Sequence, residues 1–137
     1  MKRMGYADHE FYVLRDAVYH EPWKVKSLIT DNPAMLEATN LSAETVIHWM
    51  IVESEIDHVR LLFECGADIP SYAIAEACSL GSLDMVDLLL CFGAKPDVNS
   101  CRVNLRLGNL GRKTTVRMRE VFRRHGYPLL DTSFESK

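Results

Sequence analysis

The side chains able to do chemistry in this sequence are four cysteines and five histidines, set among 19 acidic and 16 basic residues. Cys65, Cys78, Cys91 and Cys101 are separated by 13, 13 and 10 positions, so no C-x-x-C pair and no neighbouring His gives a zinc-ligand spacing. A disulfide framework needs an oxidising compartment. The opening Met1-Lys2-Arg3-Met4-Gly5-Tyr6 runs straight into Asp8, His9 and Glu10 without the apolar stretch of a secretory leader. The cysteines are therefore expected to be reduced, mostly buried thiols acting as small apolar groups, with no metal and no cofactor, in a cytoplasmic protein. His9, His20, His48, His58 and His125 form no H-E-x-x-H, and there is no G-x-S-x-G, Walker A or glycine-rich phosphate loop. No local spacing positions a Cys–His nucleophilic pair. The expectation is a chain that is not an enzyme.

The elements that would carry these residues follow from composition and pattern. A length of 137 residues, 47% hydrophobic and 26% charged, suits one globular domain over 1–137. No apolar run approaches the roughly 18 residues of a membrane span. The net charge of −3 conceals an asymmetry. Residues 1–101 hold 7 Lys+Arg against 16 Asp+Glu, a balance of −9, and residues 102–137 hold 9 against 3, a balance of +6. An acidic body with a basic end is suited to steering a partner.

The chain also repeats itself. Leu61-Leu62-Phe63-Glu64-Cys65-Gly66-Ala67-Asp68, Leu88-Leu89-Leu90-Cys91-Phe92-Gly93-Ala94-Lys95 and Val121-Phe122-Arg123-Arg124-His125-Gly126 end alike, with a fainter copy at Ser27-Leu28-Ile29-Thr30-Asp31-Asn32. The closing residues Asn32, Gly66, Gly93 and Gly126 lie 34, 27 and 33 apart. Gly and Asn enter the left-handed region cheaply and close helix C-termini, and Pro33 strengthens the stop at Asn32. Ser82 reads as an N-cap, with Asp84 in the first turn; Glu55 and Asp57 sit similarly one copy earlier. Ile56, Val59, Leu62 and Phe63, like Leu83, Val86, Leu89 and Leu90, recur at the helical spacing. Shorter helices over 46–53 and 73–80 precede them. Each unit is thus a helix–turn–helix pair that must stack to bury its apolar stripe.

Glu44-Thr45-Val46-Ile47-His48-Trp49, with the Gly66-Ala67-Asp68 close 18 positions after His48, resembles an ankyrin repeat. The resemblance runs over roughly residues 8–130. It implies an all-α, ankyrin-repeat-like solenoid of about four helix–turn–helix units (8–33, 45–68, 72–95 and 105–128) whose degenerate end copies are capping repeats. Sequence offsets align Leu14, Ala75 and Gly108 with His48, whose implied role is to bridge neighbouring turns. There are departures. Ala75 replaces the usual His in the third copy, and Met50 and Ile51 replace a small Ala pair. Only six steps separate Gly66 from Tyr72, so protruding fingers are expected only at 34–44 and 95–104.

In such stacks the first helices line a concave face, as the resemblance implies. The residues expected on its exposed side are Arg15, Val18 and Tyr19; Trp49, Val52 and Glu53; Glu76, Ser79 and Leu80; and Asn109, Arg112 and Lys113. Val18, Tyr19, Trp49, Val52 and Leu80 would make an apolar, aromatic strip of the kind protein interfaces use as hot spots. Trp49 and Leu80 packing against adjoining helices is the competing account. Lys113, Arg117 and Arg124 share one helical face, and Arg119 and Arg123 another. Three uses stay open for them: a solvated cap pairing with the acidic preceding copy, an acidic protein partner, or nucleic acid. The expected function is a monomeric protein–protein interaction module, an inhibitor or immunity-type protein that blocks a partner. The alternatives are an adaptor bridging two proteins and polyanion binding through the basic end.

Overall fold

A computed structural model describes residues 8–129 of the chain. The apolar residues recurring every three or four positions form eight α-helices among them: α1 (His9–His20), α2 (Val25–Asp31), α3 (Val46–Val52), α4 (Ile56–Glu64), α5 (Ser71–Ser79), α6 (Leu83–Cys91), α7 (Val98–Leu107) and α8 (Arg112–Arg124). Short 3-10 turns at Pro22–Lys24 and Pro33–Glu37 flank α2. The described residues contain no β-strand, only an isolated antiparallel bridge between Thr39 and Thr45. The described residues are all-α, as expected, and no helix among them is long and apolar enough to cross a membrane. The basic start, Lys2 and Arg3, lies outside the described residues. Between Asp68 and Ile69 the chain divides into two compact units.

In the first unit α1 buries Phe11, Leu14, Ala17 and Val18 and packs against α2, α3 and the Pro33–Glu37 turn. Fully burying a side chain such as Phe11 contributes about 1.5–3 kcal/mol. Helix α3 buries Val46, Ile47, His48, Met50 and Ile51, apolar almost all round, and packs on α4 through Val59 and Leu62. Its start is fixed by Thr45, whose hydroxyl accepts from the His48 N–H at 3.4 Å. The finger expected at 34–44 is a short 3-10 turn followed by a loop tied at Asn40, whose side-chain oxygen accepts from the N–H groups of Ser42 and Glu44. Trp23, in the turn before α2, is 74% exposed.

The second unit is built on small residues. Helix α5 buries Ala73, Ile74, Ala75, Ala77 and Cys78, and lies against both α6 and α7. Helix α8 places Met118, Val121 and Phe122 in the core and packs on α6, which contributes Met85, Val86, Leu89 and Leu90. First helix thus lies on first helix and second on second. The approach of α5 and α7 is set at Gly108, where a Cβ would stand 2.3 Å from the Ser79 carbonyl oxygen.

The sequence repeat reappears as a repeated backbone hydrogen-bond pattern. The Glu53, Ser54 and Glu55 N–H groups donate to the carbonyls of Trp49, Ile51 and Met50, and those of Leu80, Gly81 and Ser82 donate to Glu76, Cys78 and Ala77, 27 residues on. At the second helix's end, Gly66 and Ala67 donate to Phe63 and Leu62, while Gly93 and Ala94 donate to Leu90 and Leu89, again 27 on. The turn itself needs a left-handed residue, supplied by Ser54 (φ 58) and Gly81 (φ 70). Gly66, Gly93 and Gly126 take the left-handed conformation expected of them. Asn32 does not: at φ −146 it is extended, because the following Pro33 restricts it.

Two other expectations are corrected at the chain's end. The segment 95–104 is not a finger, since α7 begins at Val98, N-capped by Asp97, which accepts from the Ser100 N–H at 3.1 Å. The fourth copy is also shifted. Its left-handed turn residue is Asn109 (φ 50), and the Gly108 N–H donates to Asn104 as Glu53 donates to Trp49, an offset of 55. Aligning the helix ends gives 60, because α8, at 13 residues, is four longer than α4, and the turn before it, Leu110-Gly111 against Glu55 alone, is one longer. Ser82 stands at the N-cap of α6 without a side-chain capping bond.

Gly108→Ala tests the α5–α7 approach. The backbone there (φ −69) accepts alanine, so the expected cost of about 1–3 kcal/mol is steric alone. Urea unfolding would measure it, and a change under about 0.5 kcal/mol, that of an ordinary surface substitution, would contradict the close approach.

Candidate functional site

In the first unit, Arg15 and Tyr19 sit one turn apart on α1, Trp49 projects from α3 and His58 from α4; all four are half-buried. The Tyr19 ring meets Trp49 edge-on at 5.9 Å and His58 edge-on at 4.9 Å. The Arg15 guanidinium lies 5.0 Å from the Tyr12 ring centroid, 5.4 Å from Trp49 and 5.9 Å from Phe11, and pairs with Asp16 at 3.3 Å. A cation held over several aromatic faces is attracted by their quadrupoles. Glu55 lies on the other side of the cluster: its charge acts on the Tyr19 hydroxyl, and its Oε2 lies 3.3 Å from His58 Nδ1. Burial first, then the negative charges of Glu55 and Glu53, hold the Tyr19 hydroxyl protonated above the usual tyrosine range, with Arg15 opposing.

The structure therefore brings together Arg15, Tyr19 and Trp49 as expected, with the half-buried Val52 and exposed Glu53 at the end of α3. Val18 is corrected. It is 0% exposed, because Phe11, Leu14 and Val18 at spacings of three and four form the buried stripe of α1 while Arg15 and Tyr19 face outward. Tyr12, Glu55 and His58 were not anticipated at this site. Their signal was present in the sequence: Tyr12 lies three residues before Arg15, and Glu55 and His58 lie three apart at the start of α4.

In the second unit, Glu76 borders a groove of about 330 Å³ with Tyr72, Ala75, Asp97, Ser100 and Asn104. Ser79 is half-buried and spends its hydroxyl on the Glu76 carbonyl at 2.8 Å. Leu80 is exposed, as are Tyr72 on α5 and Val103 and Leu107 on α7. Arg112 and Lys113 are exposed but do not lie on a first helix; they form the first turn of α8, and Asn109 lies in the turn before it. By hydrogen-bond register the counterparts of Trp49, Val52 and Glu53 are Asn104, Leu107 and Gly108. Farther along α8, Arg123 pairs with Glu120 on its own helix and holds that carboxyl below the usual range, and Arg124 lies 4.0 Å from Asp87 of α6.

The cysteines occupy three environments. Cys78 and Cys101 are buried, and the Cys78 thiol is pushed far up by its hydrogen bond with Cys101 and by desolvation, so it stays protonated. Cys65 is half-buried. Cys91, expected with the buried set, is exposed on α6, with its sulfur 3.9 Å from His125 Nε2; that nitrogen also lies 2.7 Å from Asp87 Oδ1. His48 is buried in α3. No family model matches the chain, and no curated protein or solved structure matches it.

Tyr19 should ionise above the usual tyrosine range in an ultraviolet pH titration, and Tyr19→Phe should remove that late step. With the folded pKa raised, the group's contribution to stability is complete below the unfolded value and is lost only as the pH climbs through the folded one.

Proposed function

We propose that the chain is a non-catalytic protein-binding module of the ankyrin-repeat type, and that it acts by covering and blocking a partner protein. The observation that carries this reading is the Arg15–Tyr19–Trp49 cluster: aromatic rings and a guanidinium, the residue types that dominate interface energetics, packed against one another at a half-exposed surface. The 27-residue hydrogen-bond repeat and the first-on-first, second-on-second packing of the second unit support the repeat reading. A stacked array would preorder the surface, so that little entropy is lost on binding. The charge distribution adds direction: the residues through Asp68 sum to −6 and those from Ile69 onward to +3.

An adaptor role is the second reading, favoured by a separate exposed apolar set (Tyr72, Leu80, Val103 and Leu107) on the second unit. Nucleic-acid binding is disfavoured because Arg123 and Arg124 already meet Glu120 and Asp87. A cytoplasmic, monomeric protein remains part of the proposal.

Affinity capture with the tagged chain, run in parallel on variants, tests this. A partner should be recovered with the wild-type chain and its affinity should fall by about 2 kcal/mol or more, roughly 30-fold, with Trp49→Ala, whose folding is checked by circular dichroism. Arg112→Ala and Lys113→Ala together should retain the partner. Equal recovery with Trp49→Ala and with Arg15→Ala would remove the cluster from the interface, and strongly salt-dependent retention on a polyanion column would favour the basic end.

A further inference from the structure

Asp87 and Cys91 are four residues apart on α6, so their side chains leave the same face one turn apart, and His125 closes the C-terminus of α8 opposite them. His125 Nε2 faces both: it is 2.7 Å from Asp87 Oδ1 and 3.9 Å from Cys91 Sγ, and all three donor atoms lie within 4.8 Å of one another. We propose that Asp87, Cys91 and His125 form a binding site for a borderline divalent transition-metal ion, zinc foremost, that clips the end of α8 to α6.

The donor set selects the ion. One thiolate sulfur, one imidazole nitrogen and one carboxylate oxygen suit zinc and its soft neighbours, whereas calcium and magnesium need several oxygen donors. Tetrahedral zinc with bonds of about 2.0–2.3 Å holds its ligands roughly 3.3–3.8 Å apart. The Cys91–His125 separation already sits near that range. The His125–Asp87 pair, now at hydrogen-bonding distance, opens by about half an ångström as the metal takes the place of the shared proton. On binding, Cys91 releases its thiol proton to solvent, and neutral His125 changes tautomer by exchange with water, losing the Nε2 proton shared with Asp87 and gaining one on Nδ1, so that the Nε2 lone pair faces the metal. Two anionic ligands then balance the dication. The exposed Cys91 and the partly exposed Asp87 leave a fourth position for water.

The surrounding charges are mixed. Arg124 at 4.0 Å from Asp87, and Arg117 beside it, oppose a cation, while Asp84 and Glu120 line the same groove and favour one. The other thiols do not compete within this cluster, since Cys78 and Cys101 are buried against each other. This site is independent of the aromatic cluster and of the protein-binding reading.

Cobalt(II) titration of the reduced, metal-free chain tests it. The expected result is one equivalent bound, with a near-ultraviolet thiolate-to-cobalt charge-transfer band and the intense visible bands of tetrahedral coordination, both bleached by one equivalent of zinc. Cys91→Ser should abolish the charge-transfer band. His125→Gln and Asp87→Asn should weaken binding by at least the roughly 10- to 100-fold that loss of an outer-shell partner costs. Zinc should also raise the thermal midpoint of the wild type and not that of Cys91→Ser, whose folding is verified by circular dichroism. Cys65→Ser should leave all signals intact. No spectral change at one equivalent, a weak octahedral spectrum without the thiolate band, or a band that survives Cys91→Ser would each overturn the site.

Discussion

A helix of seven to ten residues forms too few hydrogen bonds to persist alone in water, and six of the eight described helices fall in that range. Their existence depends on being folded back in pairs, so the short link between partners is the constraint from which the rest follows. At Ser54, Gly81 and Asn109 the chain turns left-handed for one residue. That single residue lets the end of the first helix bond backward while the second helix begins at once. With the turn fixed, the apolar stripes of α3 and α4, or of α5 and α6, must face each other. Where small residues line the contact, as along α5, the neighbouring helix comes close enough that Gly108 is required.

The same economy shapes the surface. At 12 residues α1 is long enough to serve both core and surface, and it divides its residues cleanly, with Leu14 and Val18 inward and Arg15 and Tyr19 outward. The outward residues do not stand alone. Tyr19 touches Trp49 from α3 and His58 from α4, and Glu55 meets both Tyr19 and His58. Rings braced in this way lose little freedom when something settles on them, which is what separates an anchoring surface from an incidental exposed aromatic.

Much of this architecture was legible in the residues. Paired apolar positions followed by Gly66, Gly93 and Gly126 marked helix ends because glycine alone enters the left-handed region without strain, and Thr45 marked a start because its hydroxyl can reach His48 N–H. What misled was information held elsewhere in space. Asn32 looked like the glycine stops, yet the ring of Pro33 governed its backbone. The extra turn of α8 displaced Arg112 and Lys113 from a first helix to the start of a second, because counting backward from Gly126 assumed helices of equal length. Val18 was read by its neighbours in sequence rather than by its angle around α1. Cys91 and His125, 34 residues apart, meet only because α8 lies on α6, and no local spacing encodes that.

Both tryptophans of the chain, Trp23 and Trp49, fall in the first unit, one largely open to solvent and the other enclosed by Tyr19 and Arg15. Indole emission therefore originates in the first unit. Heating watched by fluorescence follows probes placed in the unit that carries the aromatic cluster, whereas far-ultraviolet dichroism weighs all eight described helices. Superimposable curves from the two probes would mean that the halves melt as one cooperative body, and separated curves would mean that they melt independently, without a label or a truncation.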